Sequence, residues 1–570
     1  MNDNHFDFDT IVVGSGFGGS VTAFRLAEAN ERVCLLERGK AYPPRSFARS
    51  PAEMRKNFWD PSEGLQGMFD VWSFRGTDAL VSSGLGGGSL IYANVLLRKP
   101  ERWFVRENLQ KGGYESWPVS YRQLERHYEA AEKNLDGQAF PHDREPYAKI
   151  AKTRALAEAA RGAGYEWFTP KLAVTFAANG RPPSPGEPIL EDHPNLHGAR
   201  RTTCQLCGEC NVGCNYGSKN SLDYTYLSHA KRLGCEIRVR CEVRHITRRD
   251  RGGFDVEYVE HVDENEGRKT DTSQLPLKKI SAKKVVLAAG TYGTTWLLLR
   301  NRKRLKDKIS RALGKRVGGN GDFLSFAWKC HESKGGERVP RPVEPTRGPV
   351  ITSTVHVPDR RDGGSGRGFY IQDAGIPAFL SWVAQPLGGF GVVGQAAQFA
   401  WRYASRLLGL ERGADLDLAL SELIGMSEAT GSTLPFLGMG RDIPDGTLRI
   451  DGKWLELDYS EAGSRELFDA MQEVAQRLAS ELDATYVVNP LYRFKKLITV
   501  HPLGGCSMAD DPEHGVVDAD GQVFGCPGLY IADGSVMPGP VGPNPALTIA
   551  ALADWFADGM LGLREPAGVR

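Results

Sequence analysis

The sequence predicts a mixed α/β fold, α+β overall, that is divided into two or more domains. Three observations support this prediction. The chain has 570 residues, which is enough to bury a large core. Hydrophobic residues make up 41% of it and charged residues 25%, proportions that are typical of globular proteins. At the N-terminus an apolar strand, a glycine turn, an amphipathic helix and a second strand follow one another, as in a parallel α/β sheet.

The N-terminal segment, residues 9–39, reads DTIVVGSGFGGSVTAFRLAEANERVCLLERG. Gly14 makes the tight turn, Gly16 lets a pyrophosphate approach backbone N–H groups at a helix N-terminus, and Gly19 lets helix and strand pack closely. Glu37 ends the second strand and can accept hydrogen bonds from ribose hydroxyls, which disfavours a 2′-phosphate. The segment therefore predicts a Rossmann-like site for FAD or NAD. A glycine-rich turn in another kind of α/β protein is the alternative.

Composition and charge exclude several functional classes. Lys plus Arg (71) nearly cancels Asp plus Glu (70), so the net charge of +1 gives no electrostatic footprint for nucleic acid. The start MNDNHFDFD lacks a basic signal region, and six of the ten cysteines are scattered, so we expect a cytoplasmic protein. Residues 374–401 carry no charge, but prolines and glycines interrupt them. We predict an apolar entrance there, suited to contact with a membrane surface, rather than a membrane-spanning helix; a buried core segment is the alternative.

Five further segments have motif character. Residues 84–89 (GLGGGS) supply backbone that can pass against a flat ring. Residues 284–295 (KVVLAAGTYGTT) form a buried strand that runs into a glycine turn. Residues 500–506 (VHPLGGC), 528–538 (GLYIADGSVMP) and 541–551 (VGPNPALTIAA) follow near the C-terminus, and the last of them opens a final helix.

Together these segments resemble the glucose–methanol–choline (GMC) family of FAD-dependent oxidoreductases, nearest to its bacterial cholesterol oxidases and long-chain alcohol oxidases. The resemblance is collinear from Asp9 to about residue 560 and loose between about 310 and 490. It implies a Rossmann-like FAD-binding domain and a substrate-binding domain with an antiparallel sheet that roofs the flavin. The FAD-binding domain would comprise residues 8–45, 80–100, 220–320 and 500–565, and the substrate domain residues 46–79, 101–219 and 321–499.

The resemblance also implies which residues contact FAD. The N-terminal glycines and the acid after the second strand would hold the ADP half, and the GGGS run would line the pyrophosphate and the flavin. A strand in the middle of the chain would offer a backbone contact to adenine, and the C-terminal segments would form a second clamp. The implied cofactor-binding residues are Gly14, Gly16, Gly19, Glu37, Gly86, Gly87, Gly88, Ser89, Asn94, Val243, Asp533, Gly534, Asn544 and Pro545.

His501 and Asn544 are the candidate catalytic residues. Alcohol oxidation removes a hydride from carbon and a proton from the hydroxyl, and a histidine can manage that proton near neutral pH. Asn544 lies between two prolines, where its amide can donate to the substrate oxygen or to the flavin. A packed core histidine and a turn-forming asparagine are the alternatives, because Asn-Pro pairs favour turns.

The chain departs from the cholesterol oxidase pattern in two places. Those enzymes have a glutamate, proposed as the base for double-bond isomerisation, where this chain has Gln372 followed by Asp373. Gln372 cannot act as a base, and in an extended segment Asp373 would point to the other face. The second departure follows the GGGS run, where Tyr92 stands in place of the expected asparagine and Asn94 lies two residues further on. One of these two would take over the flavin contact, and we assign it to Asn94.

One loop of eleven residues, CQLCGECNVGC, contains four cysteines: Cys204, Cys207, Cys210 and Cys214. The spacing C-x2-C-x2-C-x3-C is that of a ferredoxin loop whose thiolates bind an Fe–S cluster. Asn215 stands where the bacterial ferredoxin run has proline. Zinc is one alternative, although it usually takes two pairs with a longer separation, and free or disulfide-linked cysteines are the other. We call residues 204–214 the cysteine loop.

Three functions follow from these patterns. The leading hypothesis is FAD-dependent oxidation of the hydroxyl group of a bulky lipophilic alcohol, sterol-like or long-chain, with oxygen as the acceptor. The alternative is a GMC dehydrogenase that passes electrons through an Fe–S cluster to a protein or quinone. Its substrate could be sugar-like, because FAD-dependent sugar dehydrogenases of the family have cysteines in a comparable position. The third is a redox-neutral isomerase or a binding protein with structural FAD.

Overall fold

The computed structural model describes residues 5–306, 309–375, 377 and 431–564. Short 3-10 helices connect many of its elements. Within the described residues the α-helices are α1 (Phe17–Glu28), α2 (Pro51–Met54), α3 (Tyr121–Asn134), α4 (Ala151–Ala163), α5 (Tyr226–Arg232), α6 (Gly290–Asn301), α7 (Arg465–Glu481), α8 (Pro490–Arg493) and α9 (Ala546–Met560).

The strands of the described chain range from two-residue pairings to the ten residues of β18. They are β1 (Phe8–Val13), β2 (Val33–Leu36), β3 (Trp59–Asp60), β4 (Leu65–Gln66), β5 (Phe69–Ser73), β6 (Thr77–Ser82), β7 (Val95–Leu96), β8 (Val105–Glu107), β9 (Tyr114–Ser116), β10 (Gln138–Ala139), β11 (Glu166–Phe168), β12 (Lys171–Leu172), β13 (Pro188–Ile189), β14 (Arg201–Thr202), β15 (Glu236–Arg238), β16 (Cys241–Arg248), β17 (Phe254–Glu260), β18 (Lys278–Leu287), β19 (Lys315–Val317), β20 (Phe323–Trp328), β21 (His331–Lys334), β22 (Glu337–Pro340), β23 (Thr354–Val357), β24 (Phe369–Asp373), β25 (Leu434–Gly440), β26 (Gly446–Asp451), β27 (Trp454–Asp458), β28 (Thr485–Val488), β29 (Leu497–Thr499) and β30 (Leu529–Ile531).

The first large sheet has the order β15-β2-β1-β18-β17-β16, and β30 pairs with the second half of β18. Strands β15, β2, β1, β18 and β30 run parallel, whereas β16 and β17 add an antiparallel meander at one edge. The inner strands read as continuous apolar runs because both faces are covered: all four residues of β2 are buried. Helices α1 and α9 pack on one another beside this sheet.

The second large sheet is antiparallel throughout, with the order β11-β23-β24-β25-β20-β28. Helices α4 and α7 join its apolar side chains in a separate core. The buried residues of α7 recur at helical spacing, which gives the helix one apolar face toward the sheet. They are Leu467, Phe468, Met471, Val474, Ala475, Leu478 and Ala479.

The predicted fold class is confirmed: a Rossmann-like α/β layer is combined with an antiparallel sheet. The main sheet draws strands from three of the segments assigned to the FAD-binding domain, although the domain boundaries themselves remain a prediction. The apolar entrance predicted for 374–401 lies outside the described residues, apart from positions 374, 375 and 377. Among the helices that the structure describes, none combines the length and the apolar composition required to cross a bilayer.

Candidate active site

The glycines of the first turn have different structural roles. Gly14 has a φ of 98°, and a Cβ atom there would lie 2.3 Å from the carbonyl oxygen of Ala288. A Cβ on Gly19 would lie 2.0 Å from the carbonyl oxygen of Gly14, so helix α1 and strand β1 pack too closely for any side chain. A Cβ on Gly16 would meet no described atom within 4 Å. Gly16 therefore faces open space at the N-terminus of α1, where a phosphate group could approach.

The second glycine run packs directly against the first. A Cβ on Gly87 would lie 2.5 Å from the Cα of Gly16, while one on Gly88 would meet no described atom within 4 Å. The backbone N–H of Gly86 donates to the hydroxyl of Ser15 at 3.0 Å. Residues 14–19 and 84–89 thus form one continuous backbone surface, which we call the glycine cradle.

Glu37 braces this cradle. Its carboxylate, 4% exposed, accepts the backbone N–H of Ser15 at 3.0 Å and that of Gly39 at 2.8 Å. The carbonyl of Glu37 accepts the N–H of Cys241 at 2.7 Å, which places Val243 of β16 two residues from the same point. The hydroxyl of Ser15 also donates to Oε2 at 2.6 Å, so Oε2 has two partners and Oε1 has one. Oε1 therefore keeps a lone pair with which Glu37 can accept a hydrogen bond from a ribose hydroxyl while it holds the turn.

Two other predicted FAD contacts have side chains that already bond to the protein. The hydroxyl of Ser89 donates to the carbonyl of Gly86 at 2.7 Å. The carboxylate of Asp533 accepts the N–H groups of Gly290 and Ser535, both at 2.9 Å, and burial raises its pKa. These side chains shape the loops, so any contact that they make with a cofactor would come from the backbone.

Two buried side chains, Asn94 and Asp223, have polar atoms with no hydrogen-bond partner among the described residues. Both amide atoms of Asn94 lack one, and so does Oδ1 of Asp223, whose Oδ2 bonds Nε2 of His197 at 2.7 Å. That Oδ1 lies 3.6 Å from the position of a Cβ on Gly86. By contrast, the hydroxyl of Tyr92 donates to a backbone carbonyl at 3.4 Å. Because a buried polar atom without a partner costs about 1–3 kcal/mol, these atoms suit a bound polar cofactor. Sequence reasoning missed Asp223, which has no motif spacing.

His501 is oriented by a carboxylate that the sequence did not point to. Nδ1 of His501 lies 2.6 Å from Oδ1 of Asp322. The other oxygen of Asp322 accepts the backbone N–H of Val500 at 2.7 Å and that of His501 at 3.1 Å. The His501 side chain is 15% exposed, and no described residue bonds its Nε2. The imidazole is thus held at one nitrogen and open at the other.

Asn544 is held by Gln372, which lies on strand β24 of the antiparallel sheet. Nε2 of Gln372 donates to Oδ1 of Asn544 at 2.9 Å, which leaves the amide NH₂ of Asn544 as a donor. Asp373 points to the opposite face of β24, as alternation along a strand requires. It forms a fully buried pair with Lys152 at 2.8 Å and accepts the N–H of Thr352 at 2.9 Å. Asp373 is therefore occupied away from Asn544.

One turn, residues 318–322, connects the segments of both candidates; we call it the positioning turn. Asp322 at its end holds His501. Asn320 donates to the carbonyls of Gly542 and Pro543 at 3.3 and 3.0 Å and accepts the N–H of Gly542 at 2.9 Å. The structure therefore brings together the HPLGG and GPNP segments, which the sequence could only place near one cofactor.

The cysteine loop surrounds a small cavity of about 20 Å³ that all four of its cysteines line. All ten cysteines of the chain are free thiols, so the disulfide alternative does not describe this structure. Burial and the neighbouring Cys210 raise the pKa of Cys204, which is 6% exposed. Within the described residues no set of three or more His, Cys, Asp or Glu side chains has an arrangement that could hold a metal ion.

Lys219 joins the cysteine loop to the segment that directly follows the cradle. Its Nζ donates to the carbonyls of Leu90, Tyr92 and Cys210 at 3.0, 2.9 and 2.7 Å. Burial lowers the pKa of Lys219 to about 8, although the adjacent Cys210 and Cys214 oppose that shift. Sequence reasoning did not single out this lysine, which follows the last cysteine by five residues.

Three family models match parts of the chain. An NAD(P)-binding Rossmann-like domain matches residues 12–42, and GMC oxidoreductase models match residues 197–313 and 440–553. The chain is 29% identical to a cholesterol oxidase of Mycobacterium tuberculosis, an alignment that covers 99% of this chain and 93% of that protein. It is 27% identical to a cholesterol oxidase of Acinetobacter baumannii, with 97% and 94% covered.

Solved structures agree on the fold. The crystal structure of pyridoxine 4-oxidase from Mesorbium loti superposes with a TM-score of 0.56 at 16% identity, covering 98% of this chain and 100% of the other. The family models and the aligned relatives define a flavin-dependent oxidoreductase that acts on CH–OH donors. More narrowly, the chain belongs to the GMC oxidoreductases.

FAD is the cofactor of this family, and the residues present fit it. The glycine cradle leaves open space over Gly16 and Gly88, and Glu37 stands at the end of the second strand. Asn94 and Asp223 have buried polar atoms without a partner among the described residues, and Oδ1 of Asp223 lies 3.6 Å from the position of a Cβ on Gly86. The roles of the individual residues remain predictions.

Proposed function

We propose that this enzyme oxidises the hydroxyl group of a bulky lipophilic alcohol of the sterol-like or long-chain class, with oxygen as the final electron acceptor. The observation that carries the proposal is the orientation of His501, which is bonded to Asp322 at Nδ1 and has no described partner at Nε2. A histidine presented in this way is suited to take a proton from a substrate hydroxyl. When bound, FAD supplies the acceptor for the hydride.

We assign the orientation of the alcohol to Asn544, which Gln372 holds in place. Because Gln372 occupies Oδ1 of Asn544, the NH₂ group of Asn544 is free to donate to the substrate oxygen and to orient the alcohol. Proton removal by Nε2 of His501 and hydrogen bonding by Asn544 would then act on the same hydroxyl. This proposal is supported by the positioning turn, which bonds His501 through Asp322 and the backbone of Pro543, next to Asn544, through Asn320.

The two cholesterol oxidases that align over almost the whole chain support a sterol-like substrate. The predicted apolar entrance at 374–401 suits such a substrate and a membrane surface that contains it. We propose oxidation without a shift of a double bond. Gln372 has no basic group, and the carboxylate of Asp373 is paired with Lys152 on the opposite face of β24.

The proposed function is tested with the purified holoenzyme and three substrate types: a 3-hydroxysterol, a long-chain primary alcohol and a monosaccharide. We expect flavin reduction by the sterol or the long-chain alcohol under anaerobic conditions, and peroxide release when oxygen is admitted. Reduction by the monosaccharide alone would contradict the lipophilic class. No reduction by any alcohol would favour the redox-neutral isomerase or binding protein.

A second candidate, electron transfer out of the flavin through the cysteine loop, is favoured by one observation. Four thiols line a single cavity, and the fully buried Lys219 links that cavity to the carbonyls of Leu90 and Tyr92. Thiolate ligands carry negative charge, and a buried ammonium group beside them would offset it. The present cavity has the size of one or two water molecules, so a cluster would require the loop to open.

Iron and acid-labile sulfide, measured on protein purified without oxygen, decide between the two acceptors. Iron and sulfide in the protein, lost in Cys207→Ser and retained in the control Cys235→Ser, would establish the cluster. Flavin alone, with rapid peroxide release, would eliminate it. A zinc content near one per chain would support a structural metal in place of the cluster.

A further inference from the structure

The positioning turn contains a carboxylate whose two oxygens have different partners. Oδ2 of Asp322 accepts two backbone N–H groups, those of Val500 and His501, at 2.7 and 3.1 Å. The hydroxyl of Thr499 lies 2.8 Å from the same oxygen. Oδ1 faces Nδ1 of the His501 ring at 2.6 Å. Asp322 is 7% exposed, so water does not compete freely for these contacts.

An ionised carboxylate only accepts hydrogen bonds, so the ring nitrogen that faces it must carry a proton. In a neutral imidazole the other nitrogen is then the acceptor. We propose that Asp322 is a positioning residue that sets the tautomer of His501, with the proton at Nδ1 and the lone pair at Nε2. This inference rests on the proposed function for its catalytic consequence, but not for the tautomer itself.

The same turn holds the segment of the second candidate. Asn320, which is fully buried, accepts the N–H of Gly542 and donates to the carbonyls of Gly542 and Pro543. Behind the turn, the carboxylate of Asp442 accepts the N–H of Gly319 at 2.8 Å and the hydroxyl of Tyr459. The turn is thus fixed on both sides, and it determines the relative placement of His501 and the Asn544 segment.

The substitution Asp322→Asn tests the tautomer because it keeps the shape of the side chain. The N–H groups of Val500 and His501 require an acceptor, so the amide oxygen must occupy the place of Oδ2. The amide NH₂ then faces Nδ1 of His501, which must present its lone pair. The proton moves to Nε2, the nitrogen that the reaction needs as an acceptor.

The tautomer is measured by ¹⁵N NMR of the holoenzyme labelled at its twelve histidines, with His501→Gln identifying the signals of this residue. We expect a protonated Nδ1 in the natural protein and a protonated Nε2 in Asp322→Asn. We expect the variant to retain FAD and its KM within about threefold, and to lose at least about tenfold in kcat. The matched control Asp442→Asn changes a buried carboxylate that bonds this turn from behind and does not touch His501, and it should leave the tautomer unchanged.

Unchanged ring signals in Asp322→Asn, or a loss of kcat smaller than tenfold, would overturn the proposal. If Asp322→Asn does not fold, the ring signals of His501 in the natural protein still test the proposal. A proton at Nε2 of His501 in the natural protein would overturn the proposal. The ring signals are read without substrate. A failure of the proposed function would therefore appear in the substrate panel and leave this measurement intact.

Discussion

At the scale of single residues, the site depends on which atom of each side chain is already bonded. His501 and Asn544 were both predicted from their motifs, but neither motif says which nitrogen or oxygen is free. Asp322 occupies Nδ1 of His501, and Gln372 occupies Oδ1 of Asn544. The remaining atoms, Nε2 and the amide NH₂, are the acceptor and the donor that an alcohol hydroxyl requires.

The role of His501 is tested by His501→Ala. We expect the variant to keep FAD, because the cradle residues do not include His501, and to lose at least roughly a hundredfold in turnover. The measurement is the rate of flavin reduction by the alcohol that the natural enzyme oxidises, beside the flavin content of each preparation. Turnover near that of the natural enzyme would assign His501 to the packed core histidines.

At the scale of elements, the strand–turn–helix at the N-terminus separates glycines needed for folding from a glycine needed for the cofactor. A Cβ on Gly19 would overlap the backbone of Gly14, whereas a Cβ on Gly16 would enter open space. The backbone of Gly16, with φ −70° and ψ −170°, is accessible to any residue. The two positions therefore form a matched pair within one turn.

We expect Gly16→Ala to fold normally and to bind FAD about tenfold more weakly or worse, because the methyl group obstructs hydrogen bonds to the phosphate that contribute about 1.5–3 kcal/mol. Gly19→Ala should instead lower the free energy of unfolding by about 1–3 kcal/mol or more through overpacking. FAD fluorescence titration and thermal unfolding measure the two effects. Equal loss of stability in both variants would contradict this division of roles.

Element-scale prediction from the sequence was strongest where the pattern is local. The order strand, glycine turn, helix and second strand is present as β1, α1 and β2, because each part needs only its own neighbours in the chain. The cysteine loop shows the limit of this reasoning. Its spacing brings four thiols around one cavity, yet the fold sets that cavity at about 20 Å³ and places Lys219 against it.

At the scale of the whole molecule, stability depends on pH through carboxyl groups that burial has perturbed. Burial raises the pKa of Asp442 from 3.8 to about 6, although Tyr459 and the backbone of Gly319 donate to it. A raised pKa in the folded state means that folding favours the protonated form. The resulting stabilisation is fully present below the unfolded value of 3.8 and is lost as the pH rises through about 6.

Asp442→Asn should remove this contribution to the pH dependence. Relative to the natural protein, we expect the variant to become progressively more stable as the pH is raised from about 4 to 7. Thermal unfolding across that range measures the difference, and Asp451→Asn, at an exposed position on β26, controls for the loss of one negative charge. A constant difference between variant and natural protein at every pH would show that Asp442 does not titrate in this window.

The sequence by itself determined the family, the N-terminal strand–turn–helix and the motif residues. Glycine turns and the HPLGG and GPNP segments depend on local backbone conformation, so they can be recognised from the sequence. Only the tertiary structure decided the partners of those residues. Asp322 lies 179 positions from His501, and Gln372 lies 172 positions from Asn544. The family pattern drew attention to Gln372, but neither Asp322 nor Gln372 carries a local signal for its partner, since a hydrogen bond across such a separation depends on how the two sheets and the positioning turn pack together.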